Sequence, residues 1–541
     1  MHEAAYLLAG FALGSQALAL VRDRLLAASF GASHTLDVYY AAFRVPDFLF
    51  ATLASLLSLY ALLPVLSKLE QTHSGMMVSF LQKVLLVFFV AMGAVAFVLW
   101  ILAPWLAPLV APGVASADLV VLMRILLLQP IFLGASNILA SLTQLRHRFF
   151  LYALSPVLYN LGIIFGVVVL YPHIGLAGLG WGVVLGALLH AGVQAPAFFA
   201  EKKEELSNAL VWKDLRFVLG LSVPRTLALA ANQISLMVLT FFASLLSVGS
   251  IAVLTFAYNL QAVPLTIIGV SYSVAAFPSL SRLHAAGARA EFGEYLETAL
   301  RHIFFWCVPA TVFIIVFRAQ LVRVILGTGA FDWSATRLTA AALALFVVAL
   351  AAQSVTFLIA RAYYAAGNSR KPLYWGVIDV VVSVVSAIIF VGLFHESAFV
   401  RNFLEALLRV SNIPGTTVLM LAAASAVGSI VEFVVAMVVF VRDFALPTAR
   451  LGRLCFQSFA ASVLGAAVSY LALAATGAAG TINTTLGLLL QGIFAGGLGL
   501  VVTIAVLGML KNEELTEALA AANRRFRPKN TPMLEATEVS S

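Results

Sequence analysis

Apolar runs, each broken by a short polar or Pro/Gly step, fill the chain from residue 4 to residue 510. A helix needs about 20 mostly apolar residues to cross the hydrocarbon of a bilayer, and the runs have that length. They fall at 4–29, 36–66, 77–103, 117–143, 151–171 and 175–199, then at 217–246, 250–280, 298–317, 338–364, 373–394, 416–441, 454–476 and 483–510. The pattern predicts an all-α polytopic membrane protein with about 14 transmembrane helices. The charged stretch 201–216 separates six spans from eight. It predicts a first lobe over 1–200, a cytoplasmic linker loop over 201–216, a second lobe over 217–441, extra spans over 442–510 and a basic cytoplasmic tail over 511–541.

Composition points the same way. The chain is 62% hydrophobic and 10% charged, against about 25% charged in soluble domains, so water cannot be its main solvent. The net charge of +8 is spread over short loops instead of a basic domain, which argues against nucleic acid as a partner. Lys68, Arg146, Arg148, Lys202, Lys203, Lys213, Arg216, Arg282, Arg289, Arg370, Lys371, Arg442, Arg450 and Arg453 occupy alternate loops, while 29–35, 104–117, 171–175 and 476–484 carry no Lys or Arg. The basic loops are expected inside, with both termini, and the others outside. No Lys or Arg precedes the first run, which is therefore expected to be a retained span and not a cleaved leader.

Smaller features refine the picture. The outward segment 395–412 sets Arg401, Glu405 and Arg409 between Phe399, Phe403, Leu404, Leu407 and Leu408, the period of an amphipathic interfacial helix. From Glu514 the chain turns polar and is expected to be partly disordered. Cys307 and Cys455 lie in or beside apolar runs and read as small buried side chains. No phosphate-binding glycine loop, metal-spaced His/Cys cluster or nucleophile with a base is legible, so neither an enzyme nor a cofactor is expected.

Charges within the spans carry the functional signal. If Arg22, Asp23 and Arg24 formed a loop, the first span would place its basic flank outside, against every later loop. They fit within a helix over 4–29, which rises about 39 Å at 1.5 Å per residue. The second run adds Asp37, Arg44 and Asp47, spaced seven and three apart and so on one helical face. Such groups face water-filled cavities or one another. Two readings follow, mutual neutralisation between helices or a polar cavity for an ionised substrate and a coupling cation. Arg124, Arg225, Asp379 and Glu432 are further charges within runs, the last two candidate proton or ion sites, and Pro46, Pro156, Pro224, Pro264 and Pro309 are candidate hinges.

The stretches RDRLLAASFGAS at 22–33 and LDVYYAAFRVPDFL at 36–49 resemble the MurJ (MviN) lipid II flippases of the multidrug/oligosaccharidyl-lipid/polysaccharide exporter superfamily. The likeness continues through 149–160, 232–283 ending in FPSLS, GAFD at 329–332 and RAYYAAGNSRKP at 361–372. It implies two six-helix lobes around a V-shaped cavity, with two extra helices grooving a lipid tail. It also implies a bacterial inner-membrane protein that moves a lipid-linked cell-wall precursor with an undecaprenyl pyrophosphate from the inner to the outer leaflet in peptidoglycan synthesis. Membrane lipids, a coupling cation and cell-wall synthesis enzymes are the further partners it suggests.

By this resemblance Arg22, Arg24, Arg44 and Asn259 are the candidate substrate-binding residues, and Asp23 and Asp37 the charge partners or ion-coupling residues. Where the family carries arginines, this chain has Gln16, Phe50, Ala51 and Asn259, with Ser55, Tyr258 and Ala262 at related departures. Neutral side chains lack the charge and the bidentate donors suited to a pyrophosphate, so a weaker hold on it is expected. The alternatives are a cation-coupled small-molecule exporter of the same superfamily and a non-transporting scaffold that recruits cell-wall enzymes through its loops or tail.

Overall fold

The computed structural model describes residues 2–57, 62, 65–66, 69–70, 74–199, 208–368, 370–444, 449–478 and 484–526. Among them it is helical throughout, with no strand. Among the described residues ten helices are long and apolar enough to cross a bilayer, from Met76–Val110 to Thr485–Met509. The helices Trp333–Val348 and Leu350–Ala365 together make an eleventh crossing bent by 45°.

The expected fourteen spans are therefore not all of one kind. The first helix, His2–Phe30, carries Arg22, Asp23 and Arg24 in its last third. The second run is broken into His34–Ala42, Arg44–Thr52 and a short 3-10 turn at Ala54–Leu57. The helix Asn208–Ser244 contributes only Leu229–Ser244 as an apolar length. These three charged or interrupted stretches are the ones that meet at the central cavity.

Two further expectations change. Residues 208–216 of the expected linker are the first turns of the helix Asn208–Ser244, and 201–207 lie outside the described residues. The tail is ordered as far as the helix Glu513–Phe526, because Glu514 and Leu515 are buried against the bundle. Arg301 donates to Glu514 at 2.5 Å and to Glu513 at 2.8 Å. Leu515 packs with Phe305, Leu454, Ala461 and Leu507. The segment expected to form an outward amphipathic helix contains the helix Ala398–Leu408, and both cysteines are free thiols, Cys307 buried and Cys455 partly so.

Lipid tails are as apolar as the side chains, so helices here associate through close backbone packing and buried hydrogen bonds. Phe149–Phe165 and Leu176–Gly192 meet at glycines: a Cβ on Gly182 would lie 2.4 Å from Gly166 Cα, and one on Gly162 2.3 Å from Gly186 Cα. The last two spanning helices repeat the device, Gly465 lying against Gly499 and Thr503, with Ser469 donating to Ala495 O at 2.9 Å.

The loops at one end of the bundle interlock. A Cβ at Gly31 would lie 2.5 Å from Ala330 O, one at Gly329 2.3 Å from Ala28 O, and one at Gly249 2.4 Å from Ala32 O. All three glycines have positive φ, so the turns and the close approach both require them. Ala330 N donates to Ala28 O at 2.9 Å. Residues 28–32 of the first half are thus sewn to 249 and 329–330 of the second.

Gly182→Val should separate the two helices it joins and destabilise the protein by about 1–3 kcal/mol, the usual cost of overpacking. Gly192→Val is the control, since nothing lies within 4 Å of a Cβ there. Thermal melting of the purified variants checks this, with a drop for the first and little change for the second.

Candidate functional site

The broken second run explains how polar side chains reach the middle of the bundle. Phe43 ends one short helix and starts the next, so Arg44 begins a new helix whose first turn includes Asp47. Arg44 donates through Nε to Thr240 Oγ1 at 2.7 Å, on the helix Asn208–Ser244 of the second half. Asp47 accepts from Gln129 Nε2 at 3.5 Å.

Arg22 and Asp23 build the opposite wall. Arg22 Nε and Nη2 approach Asp23 Oδ1 at 2.9 and 2.7 Å, and Nη1 donates to Asn160 Oδ1 at 3.2 Å. The other carboxylate oxygen of Asp23 accepts from Asn259 Nδ2 at 3.0 Å, on the helix Ser250–Pro264. Asp23 is buried and tied to both halves.

Between these walls lies a cavity of about 290 Å³. Its lining includes Arg22, Arg44, Asp47, Asn259 and Gln129, with the phenols Tyr39, Tyr40, Tyr159 and Tyr258. Residues of both halves contribute, so any relative movement of the halves changes its volume. Two guanidiniums face one lining carboxylate, a setting for an anionic group, and the phenols add hydroxyl donors and apolar ring edges.

Arg22, Arg44 and Asn259 line the cavity as the sequence led one to expect, with Asp23 behind them. Arg24 and Asp37 do not. Arg24 turns outward from the cavity and donates to the carbonyls of Val324 and Ile325 at 2.5 and 3.2 Å, capping the end of the helix Arg289–Leu326. Asp37 has no basic partner among the described residues: its oxygens accept from Gly249 N at 2.6 Å and Ala252 N at 2.9 Å. It caps the N-terminus of the helix Ser250–Pro264 across the seam, a favourable place for a carboxylate. The expected single charged face from Asp37 to Arg44 is thus split, with Asp37 in the seam and Arg44 in the cavity.

Of the neutral replacements, Phe50 packs on the apolar core and Ala51 is 8% exposed. Neither is in the cavity lining. Arg124 sits over the Trp100 ring at 4.3 Å and donates to its carbonyl, away from the cavity, and the side chain of Arg225 lies outside the described residues. The sequence pattern singled out Tyr258 but not Gln129, Thr240, Tyr39, Tyr40 or Tyr159 as lining residues; a glutamine beside Pro130 within an apolar run was the available signal.

A second polar cluster lies among later helices. Asp379 Oδ1 accepts from Ser429 Oγ at 3.4 Å, Ser429 accepts from Gln353 Nε2 at 3.0 Å, and Gln261 donates to Gln353 at 2.8 Å. Glu432 lies within Coulombic reach of Asp379, and neither carboxylate forms an ion pair among the described residues.

A sequence-family model described as "Lipid II flippase MurJ" matches residues 26–491. The chain belongs to the MurJ lipid II flippase family. A relative in Burkholderia cenocepacia, named "Lipid II flippase MurJ", is 28% identical over 400 residues, covering 71% of this chain and 77% of its own. One in Thermotoga maritima, a "Probable lipid II flippase MurJ", is 26% identical over 377 residues, 67% and 75% of the two chains. A solved structure of "Lipid II flippase MurJ, inward closed conformation" superposes with a TM-score of 0.73 at 20% identity, covering 94% of this chain and all of that one. An inward-facing multidrug resistance MATE family transporter of the MOP superfamily gives 0.63 at 15% identity, covering 80% and 94%. The fold is therefore that of a multi-pass membrane transporter.

Asp37→Ala should remove two buried backbone bonds and destabilise the seam by about 1–3 kcal/mol. Arg44→Gln, which gives up one bond to a hydroxyl, should leave folding nearly unchanged and lose function, whereas Arg22→Gln leaves Asp23 buried without its cation and should lower stability as well. Comparing thermal melting with transport per folded molecule separates the two roles. Wild-type stability in Asp37→Ala would contradict the capping role.

Proposed function

We propose that the chain flips a lipid-linked cell-wall precursor from the inner to the outer leaflet, with Arg22 and Arg44 holding the headgroup phosphates. The observation that carries this reading is their convergence on one cavity shared by both halves. A pyrophosphate fits about 290 Å³. A headgroup with sugars and a peptide does not, since even drug-sized ligands occupy about 300–1,000 Å³. The closed seam above the cavity must then part for transport, as alternating access requires.

In this reading residues 1–200 and 217–441 are the two moving lobes, and the spans after 442 hold the polyprenyl tail. The basic loops and both termini face the cytoplasm, supported by the asymmetry of Lys and Arg. No catalytic step is needed. Asp379 and Glu432 are the groups we assign to a coupling cation or proton, because neighbouring carboxylates without a basic partner favour one between them.

The family arginine missing at Asn259 can be tested by restoring it, because Asn259 lines the cavity beside Asp23. One added charge-assisted bond contributes about 1.5–3 kcal/mol, or roughly ten- to a hundredfold in affinity. In cells depleted of their own lipid II flippase, the chain should support growth weakly and Asn259→Arg should improve it. Ala51→Arg should not, since its guanidinium would enter the packed core. The Arg22→Gln/Arg44→Gln double variant should fail at normal membrane levels, with the lipid-linked precursor accumulating. Full rescue by that double variant would overturn the reading.

A further inference from the structure

Three arginines gather at the end of the bundle opposite the basic loops. Arg318 donates to Ile315 O at 2.9 Å and to Leu408 O at 3.4 Å. Arg337 donates twice to Arg409 O, through Nε at 3.0 Å and through Nη2. Arg409 donates through Nη2 to the Tyr470 hydroxyl at 2.8 Å, its guanidinium 5.6 Å from that ring's centre. Four elements therefore meet here: the helices Arg289–Leu326, Trp333–Val348, Ala398–Leu408 and Ala449–Ala478.

The cluster is electrically unbalanced. Among the described residues none of the three forms an ion pair. The carboxylate on the adjoining helix, Glu405, is engaged by the Thr416 hydroxyl at 2.7 Å. Arg409 also occupies a left-handed position, φ 60°, at the helix C-terminus, where glycine fits with least strain. An arginine held there against backbone preference, beside two others, points to a use for its side chain.

Depth argues for a membrane ligand. Arg318 stands eight residues before the end of its helix and Tyr470 eight before the end of its own, each about 12 Å inward at 1.5 Å per residue. The amphipathic helix tied to them exposes Phe399 at 78%, Phe403 at 56% and Leu407 at 62%, one stripe at spacing four. Such a helix lies at the boundary of headgroups and acyl chains, its apolar stripe in lipid. The guanidiniums at its end are then level with lipid phosphates.

We propose that Arg318, Arg337 and Arg409 form a second, outer-leaflet anion site that receives the phosphate or pyrophosphate of a lipid headgroup leaving the central cavity. The proposal rests on the flippase reading for its direction and is tested separately from it. Arginine suits this ligand because its planar fork donates bidentately to phosphate oxygens. Tyr470 belongs to the first of the two extra spans, so the site adjoins the helices we assign to the tail.

The test uses the full chain, purified in detergent, with Arg22→Gln and Arg44→Gln removing the central site. Bound undecaprenyl pyrophosphate, phosphatidylglycerol and inorganic pyrophosphate are measured by native mass spectrometry and titration. One equivalent of undecaprenyl pyrophosphate should remain in this background, and adding Arg318→Gln, Arg337→Gln and Arg409→Gln should weaken it at least tenfold. Glutamine keeps amide donors for the carbonyls of Leu408 and Arg409, so melting temperature should hold. A triple lysine variant, which keeps the charge but loses the fork, should fold and bind severalfold more weakly, and unchanged binding in it would equally overturn the proposal if the glutamine variant does not fold. Unchanged binding in the glutamine variant would overturn the proposal. Equal affinity for phosphatidylglycerol would make this a site for structural lipid, and equal affinity for inorganic pyrophosphate would remove the lipid from the assignment. If transport survives Arg22→Gln/Arg44→Gln while the outer triple still loses binding, the assignment of the headgroup phosphates to Arg22 and Arg44 fails and the outer site stands.

Discussion

Placing a guanidinium or carboxylate in hydrocarbon costs between about 2.5 and well over 10 kcal/mol unless water or a partner receives it. That cost organises the centre of this protein. Arg22 and its neighbour Asp23 neutralise each other, and Asn259 from the second half completes the carboxylate. Arg44 reaches Thr240, also across the divide. Arg22 and Asp47 find partners within the first half, while Asp23 and Arg44 each take one from the second, so two of the charged groups at the cavity also tie the halves together.

The seam beyond the cavity depends on backbone. Gly31, Gly249 and Gly329 let carbonyls approach to distances that any side chain would block, and Asp37 fixes the start of the helix Ser250–Pro264. Apolar side chains back these turns: Tyr40 of the first half meets Phe256 edge to face, and Phe256 meets Phe331 in the same way, so parting the seam exposes buried rings as well as backbone.

The fold class was legible because bilayer thickness imposes its length on every span. The three crossings that depart from the simple pattern, His2–Phe30, the second run and Asn208–Ser244, are where function overrides hydrophobicity. For the site, intramembrane charge singled out Arg22, Asp23 and Arg44, which lie at the cavity or just behind its wall, but could not say where each pointed. Arg24 and Asp37 carry the same signal yet cap helices, since a helix terminus satisfies a charge as well as a counter-ion does. Helical spacing from Asp37 to Arg44 misled because the helix breaks at Phe43. Tyr39, Tyr40 and Tyr159 gave no signal at all, being ordinary in apolar runs.

In the proposed reading the seam joining residues 28–32 to 249 and 329–330 must part for a lipid-linked headgroup to cross. Ala28 and Ala330 are joined there by a backbone hydrogen bond of 2.9 Å, close enough for paired cysteines. In a chain with Cys307 and Cys455 replaced, Ala28→Cys/Ala330→Cys should flip precursor when reduced, stop when oxidised to the disulfide, and recover on reduction. A fully cross-linked protein that flips at the reduced rate would contradict the account.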